Sequence, residues 1–277
     1  MNTEIASRGS FFFGVLAFIG LWELSAPRRG LTTPKSPRWF GNLTIILLNT
    51  GVVPFAFPIL PVAVAALAHK NGWGLLNLFR PPYWMAVVVG VTLLDLVIYV
   101  QHVLFHAVPA LWRLHMVHHA DLDFDVTTGS RFHPIEIILS TAIKLAAVVV
   151  FGPPALAVLL FEVFLNATSM FNHGNIRIPL ALDRLLRLFV VTPEMHRVHH
   201  SVVIKETNSN FGFNLPWWGR LFGTYHAQPR AGHEGMTIGL SQFRNANRLT
   251  LPWVLALPFI GDPGQYPINR GRGRASR

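Results

Sequence analysis

Long apolar segments separated by short polar stretches dominate much of the chain. The apolar segments are residues 10–26, 43–68, 83–108, 135–151 and 155–171. A helix of about 20 apolar residues crosses a hydrocarbon core of about 30 Å. The pattern therefore predicts an all-α fold with about four to five membrane-spanning helices.

Prolines and glycines mark the breaks within and between these segments. Three prolines between residues 54 and 61 interrupt the second segment, and we expect them to kink its helix. The sequence Gly-Pro-Pro at 152–154 separates the last two segments, which favours a helical hairpin. Residues 249–260 are apolar again, but this stretch is too short to cross a bilayer and contains two prolines.

The composition also indicates a membrane protein. The chain has 277 residues, of which 51% are hydrophobic and 13% are charged, and its mean hydropathy is +0.40. Soluble domains carry about 25% charged residues. We therefore predict a single polytopic integral membrane domain over residues 1–277. Cysteine is absent, which excludes disulfides, iron–sulfur clusters and thiolate catalysis.

The basic residues predict how the chain is oriented in the membrane. The net charge is +10, and Arg28, Arg29, Lys35 and Arg38 lie between the first two apolar segments. The positive-inside rule places this loop in the cytoplasm, so alternating crossings bring the polar regions after residues 102 and 171 to the same cytoplasmic face. Because basic loops of membrane proteins contact anionic lipid, we predict no nucleic-acid partner. Residues 265–277 are predicted to form a disordered basic tail.

Nine histidines are grouped at the cytoplasmic ends of the predicted helices. His102 and His106 are four residues apart, and the spacing HxxHH occurs at 115–119 and again at 196–200. Positions i, i+3 and i+4 of a helix lie on one face, so each motif can direct three nitrogens toward a common centre. The predicted metal ligands are His102, His106, His115, His118, His119, His173, His196, His199 and His200.

The number of these histidines favours a site with a pair of metal ions. Imidazole binds zinc, copper, iron and nickel. Zinc hydrolases use three or four protein ligands per metal, and a bis-histidine haem needs only two, so neither explains the excess. A nitrogen-rich pair of redox metals suits non-haem iron that activates dioxygen against a C–H bond of a membrane lipid. We predict that a cytosolic helical metal-binding domain caps the membrane bundle.

Two further residues are candidates for orienting the metal-ligating imidazoles. Asp95 precedes His102 by seven residues on the same helical face, and a carboxylate within a spanning helix needs a polar partner. His133, in the sequence RFHP, lies either beside the site or in a turn.

These motifs resemble those of the fatty acid hydroxylase and sterol desaturase superfamily of membrane di-iron enzymes. The resemblance covers residues 85–225 and includes HVLFH at 102–106, HMVHH at 115–119, FNH at 171–173, TPEMHRVHHS at 192–201, NSNFG at 208–212 and RLFGTY at 220–225. Members of the family usually have arginine where this chain has Val103, and they tend to have aspartate where it has Gly219.

The resemblance implies a catalytic core over residues 85–225 and an activity that hydroxylates or desaturates a lipid with O2. It implies a pair of iron ions as cofactors, for which zinc can substitute in purified protein. The chain has no GxGxxG motif for a nicotinamide or flavin, so we predict a separate electron donor such as a ferredoxin, a small cytochrome or a reductase. The sequence does not select between hydroxylation and desaturation.

Two other classes of function stay open at this point. A histidine-rich membrane metal transporter would place its ligands near the bilayer midplane, whereas these histidines lie at helix ends. A di-haem electron carrier would bind each haem through two imidazoles and would show a Soret band.

Overall fold

The computed structural model describes residues 2–269. Within that range the chain is helical and contains no β-strand, only two isolated bridges. The helices are α1 (Asn2–Ser25), α2 (Lys35–Ala56), α3 (Pro61–Asn71), α4 (Leu75–Phe79), α5 (Tyr83–Ala107), α6 (Pro109–His119), α7 (Pro134–Phe151), α8 (Ala155–Asn172), α9 (Leu180–Leu186), α10 (Pro193–His199), α11 (Ile204–Thr207), α12 (Trp217–Leu221), α13 (Gly232–Gly235) and α14 (Leu251–Ile260).

Four parts of the described chain are long and apolar enough to cross a membrane. They are Lys35–Phe79, α5, α7 and α8. Gly9–Ser25 and Leu251–Ile260 are apolar but shorter. The prediction of an all-α polytopic bundle is therefore confirmed, with four candidate spans among residues 2–269.

The second apolar segment forms two helices rather than the single kinked helix that we predicted. α2 ends at Ala56 and α3 begins at Pro61. The residue before a proline is driven into extended backbone, and Phe57, which precedes Pro58, has φ −132° and ψ 93°. Pro61 then occupies the first turn of α3, where its missing N–H is tolerated.

α5, α7 and α8 form the centre of the bundle. α7 and α8 are joined by the predicted hairpin at Gly152, whose φ of 61° lies in the left-handed region. Because the hairpin returns the chain, the start of α7 and the end of α8 lie at the same end of the bundle as the end of α5. Leu94, Ile98, Val148 and Phe161 form part of the apolar core between these helices.

The segments after α8 form a cap of short helices and loops over that end of the bundle. α14 packs back onto α6, where Trp112, Met116 and Leu257 share a buried core. The chain after α14 then reaches the end of α5, where Ile268 N–H donates to the carbonyl of His106 at 2.9 Å. Residues 265–269, which we predicted to belong to a disordered tail, are therefore packed, with Tyr266 in a buried core, and residues 270–277 of that tail lie outside the described residues. The cap therefore surrounds the ends of α5 and α6, which carry five of the predicted ligands.

A buried ion network fastens the loop after α6. The guanidinium of Arg38 donates to both carboxylate oxygens of Asp121, at 2.6 and 2.9 Å, and to Asp125 at 2.6 Å. Arg131 donates from Nε to the carbonyl of Val117 at 2.9 Å. Both arginines are at most 1% exposed. The α2 helix thus holds the loop that directly follows the first HxxHH motif.

Candidate metal centre

All nine predicted ligands converge, although they come from separate segments of the chain. They form two adjoining groups, in each of which one nitrogen per ring lies within 4.8 Å of the others. None of the nine residues is more than 3% exposed. The five-histidine group is His102, His106, His115, His119 and His199, and the four-histidine group is His118, His173, His196 and His200.

Each HxxHH motif contributes to both groups. In α6, His115 and His119 join the five-histidine group, whereas His118 joins the four-histidine group. At the end of α10 the assignment is reversed: His196 and His200 join the four-histidine group, and His199 joins the five-histidine group. The i, i+4 pair of each motif stays together and the i+3 ring turns toward the neighbouring group. The doubled motif thus joins the two groups at ring distances of 4.6 Å for His119–His200 and 5.0 Å for His196–His199.

Hydrogen bonds to backbone carbonyls define which nitrogen of several rings carries the proton. His102 Nδ1 lies 2.8 Å from the carbonyl of Phe211, and His173 Nδ1 lies 2.6 Å from that of Ser169. A carbonyl can only accept, so these Nδ1 atoms carry hydrogen and their Nε2 atoms present lone pairs. His199 has the same arrangement toward the carbonyl of Ser209, at 2.7 Å.

The Nε2 atoms of different rings face one another at short range. His102 Nε2 lies 3.0 Å from His115 Nε2. His173 Nε2 lies 3.1, 3.2 and 3.0 Å from the Nε2 atoms of His118, His200 and His196. His173 Nε2 has a single lone pair and cannot accept hydrogen bonds from three neighbouring rings at once, whereas a cation would satisfy all of these buried nitrogens. This geometry fits metal ions bound in both groups.

Burial keeps the imidazoles of the cap neutral. Desolvation lowers the pKa of His173 to about 3, and it lowers the pKa of His196 and His200 well below the usual value. Neutral imidazole is the form that binds a metal. The donor set of nitrogen without thiolate suits iron, copper, nickel or zinc.

Two ring-orienting residues were missed by the sequence analysis. Glu136, in the first turn of α7, accepts a hydrogen bond from His115 Nδ1 at 2.6 Å, and Asn208 Oδ1 lies 2.9 Å from His106 Nδ1. Among the described residues, Glu136 is the one carboxylate in hydrogen-bond contact with a ring of either group. No sequence signal singled out Glu136, which lies 17 residues after His119 in the first turn of a helix.

Neither candidate for orienting the ligands hydrogen-bonds to one of the nine imidazoles, and His133 lies in a turn, the second of its two predicted positions. Asp95 accepts hydrogen bonds from Trp218 Nε1 at 2.8 Å and from the backbone N–H of Leu215 at 3.3 Å, rather than from an imidazole. His133 caps the start of α7, where its Nδ1 accepts from the N–H of Ile135 at 3.2 Å. Asp95 therefore holds the end of the loop that carries Phe211 and Phe213. His133 caps the helix that carries Glu136.

Comparisons with known proteins agree with the motifs. The family model described as fatty acid hydroxylase matches residues 87–224. An ornithine lipid hydroxylase from Rhizobium tropici is 29% identical over 82% of this chain and 69% of its own length. Human alkylglycerol monooxygenase is 26% identical over 62% of this chain and 38% of its own length. The alkylglycerol monooxygenase of Danio rerio is 25% identical over 86% of this chain and 53% of its own length.

No solved structure matches the chain. The chain spans well under two thirds of the alkylglycerol monooxygenases that it matches. The predicted family and the predicted class of enzyme, an oxygen-dependent lipid oxidoreductase, are confirmed by these matches. The chain belongs to the fatty acid hydroxylase family of membrane oxygenases.

Proposed function

We propose that this protein is a membrane-bound lipid hydroxylase that holds a pair of iron ions in its two histidine groups. The nine residues His102, His106, His115, His118, His119, His173, His196, His199 and His200 would hold the metal. The observation that carries the proposal is the close approach of Nε2 atoms, at 3.0 to 3.2 Å within both groups, at one end of a membrane bundle.

The proposed reaction balances with O2 and an external reductant. A C–H bond of the lipid breaks and a C–O bond forms, one oxygen atom leaves as water, and the donor supplies two electrons while two protons come from solvent. The iron pair would supply the activation of dioxygen that this reaction needs. Hydroxylation is favoured over desaturation because the relatives are a hydroxylase and monooxygenases by name.

The residues around the rings would exclude water and admit an alkyl chain. Phe132 stacks on His118 with ring centres 4.5 Å apart, and Phe213 lies 5.1 Å from the ring of His102. Both phenylalanines also pack in the apolar core between the spans. A lipid alkyl chain that approaches from the membrane would therefore meet these two rings before it meets the histidines. Water exclusion of this kind limits side reactions of the oxidising centre.

We further propose that the site faces the cytoplasm and receives electrons from a separate acidic donor, such as a ferredoxin, a small cytochrome or a reductase. The positive-inside rule supports this orientation. Among acidic residues whose side chains the structure describes, only Glu234 and Asp262 are exposed, which leaves the surface basic. Turnover with an acidic donor should fall as ionic strength rises, and salt-independent turnover would contradict this docking.

The central experiment compares cells that express the wild-type chain, His196→Ala or His226→Ala. His226 is the control because it lies outside both histidine groups. We expect purified wild-type and H226A protein to contain iron, and the lipid extracts of those cells to contain a species with one added oxygen. H196A should lack this species.

The remaining outcomes are equally decisive. A product that has lost two hydrogens without gaining oxygen would replace hydroxylation by desaturation. Full activity in protein that contains zinc alone would contradict the iron mechanism. A Soret band would favour the haem carrier, and metal flux into liposomes would favour the transporter.

A further inference from the structure

The cap exposes a set of large apolar side chains that lie outside the four candidate spans. Leu180 is 61% exposed and Leu221 is 69% exposed, although neither belongs to a spanning helix. A patch of this kind on a soluble surface marks an interaction site. We name the set the apolar platform: Leu180, Leu182, Leu185, Leu188, Phe189, Trp217, Leu221 and Phe222.

The platform is one surface, although its residues come from two separate segments. Trp217 Nε1 donates to the carbonyl of Leu188 at 2.7 Å, and Arg220 donates to the carbonyl of Arg187 at 3.1 Å. Within α9, Leu186 points the other way and packs in a core with Ile19 of α1 and residues of α8. α9 therefore has an apolar inner face against the bundle and an apolar outer face without a protein partner among the described residues.

The platform is continuous with the membrane bundle at a depth below the histidines. Trp218, the neighbour of Trp217, donates to Asp95 of α5 at 2.8 Å, and Phe222 stacks on Tyr99 of α5 with ring centres 5.6 Å apart. Asp95 precedes His102 by seven residues, which corresponds to about 10 Å along a helix. The segment that carries α12 thus reaches alongside a spanning helix.

The exposed charges of the segment that carries the platform have a single sign. Between residues 174 and 226, the acidic residues Asp183, Glu194 and Glu206 are all buried. The exposed charged residues in the same range are Arg177, Arg184, Lys205 and Arg220. Apolar side chains bordered by arginine and lysine are typical of segments that lie in the interface of an anionic membrane.

We propose that the apolar platform inserts into the lipid leaflet on the metal-site side of the membrane, with its flanking basic residues against anionic headgroups. The protein then contacts the bilayer through α9 and α12 as well as through its spans. The loop that directly precedes α12 carries Phe213, which lies 5.8 Å from the ring of His196. The platform would therefore place the leaflet next to the loop that lines the metal centre.

The absence of cysteine makes a direct test simple. Single variants Leu185→Cys and Leu221→Cys would be labelled with an environment-sensitive fluorophore and placed in nanodiscs of phosphatidylcholine with or without phosphatidylglycerol. Val88→Cys, on the exposed surface of α5, is the membrane control, and Thr237→Cys, exposed on the cap, is the aqueous control. Quenching by brominated lipid and by aqueous iodide would be compared.

We expect the labels at 185 and 221 to behave like the label at 88, with quenching by brominated lipid and little quenching by iodide. The emission of the label at 185 should shift further to the blue with phosphatidylglycerol, and Arg184→Gln should reduce that shift. Iodide quenching equal to that at 237 would overturn the proposal. Protection from both quenchers would assign the platform to a protein contact, such as a second copy of the chain. No turnover is needed, so the result is independent of the proposed function.

Discussion

The two histidine groups differ in how the protein holds their rings. In the five-histidine group, four rings have a hydrogen-bond acceptor at Nδ1, supplied by Phe211, Asn208, Glu136 and Ser209. In the four-histidine group only His173 has one, and the Nδ1 atoms of His118, His196 and His200 have no partner in the described protein. One group is therefore oriented mainly by hydrogen bonds, and the other mainly by packing.

Packing around the four-histidine group comes from aromatic rings and from the anchored loop after α6. Phe132 stacks on His118, and Phe124 lies 5.4 Å from His173 and 5.1 Å from His200. Both phenylalanines lie in the loop between α6 and α7, which Arg38 anchors through Asp121 and Asp125. Hydrogen-bonded ligands are fixed in direction, whereas rings held by packing keep some freedom to rotate. We infer that the five-histidine group binds its metal more tightly.

The largest loss of bound metal and of product is expected for His173→Ala. The Nε2 atom of His173 lies within 3.2 Å of the other three Nε2 atoms of its group, so its removal opens that group at its centre. Bound metal should fall from about two ions to about one per chain, and product should disappear because two-metal chemistry needs both ions. Elemental analysis and lipid extracts measure these quantities. Loss of both ions would show that the groups do not bind independently.

The second largest effect, on stability and on metal retention, is expected for Arg38→Met. Removing the guanidinium leaves Asp121 and Asp125 buried without their partner, which costs roughly 3–5 kcal/mol of unfolding free energy. Metal release to a chelator should accelerate first at the four-histidine group. Denaturant unfolding in detergent and timed chelation measure both effects, with the exposed Arg184→Met as control. Unchanged stability together with unchanged release would refute the anchoring role of the loop.

The smallest effect is expected for Glu136→Ala and Glu136→Gln. Loss of an outer hydrogen-bond partner of a metal ligand weakens metal affinity by roughly 10–100-fold, so E136A should weaken binding in the five-histidine group by that amount. E136Q keeps an oxygen that can accept from His115 and should weaken it less. Competition titration with cobalt gives the affinities. Glu206→Gln, a buried carboxylate that accepts from the N–H of Arg230, is the control. If E136A weakened metal affinity equally at both groups, the proposed difference in how their rings are held would be wrong.

Periodicity predicted the spans, and alternating crossings of those spans predicted that the histidines meet at one end of the bundle. The i, i+4 and HxxHH spacings specify which rings share a helix face. The division of each HxxHH motif between two groups was not predictable, because it depends on how α6 and α10 cross in three dimensions.

The orienting partners were harder to predict because their sequence context is ordinary. Glu136 sits in the first turn of a helix, where acidic residues are common for reasons unrelated to metal. From the sequence we placed Arg38 in a basic cytoplasmic loop, yet it is fully buried against Asp121 and Asp125. Such ion pairs between distant segments leave no periodic trace, and only the folded structure brings their members together.

The hairpin of α7 and α8 makes metal retention a reporter of correct membrane insertion. Ligands that precede the hairpin and ligands that follow it share both groups. In a chain whose α8 failed to integrate, His173 and the second HxxHH motif would lie on the opposite side of the bilayer from the first HxxHH motif. Such an incorrectly inserted chain could assemble neither group, so a cell could distinguish it from a properly inserted one by its inability to retain metal.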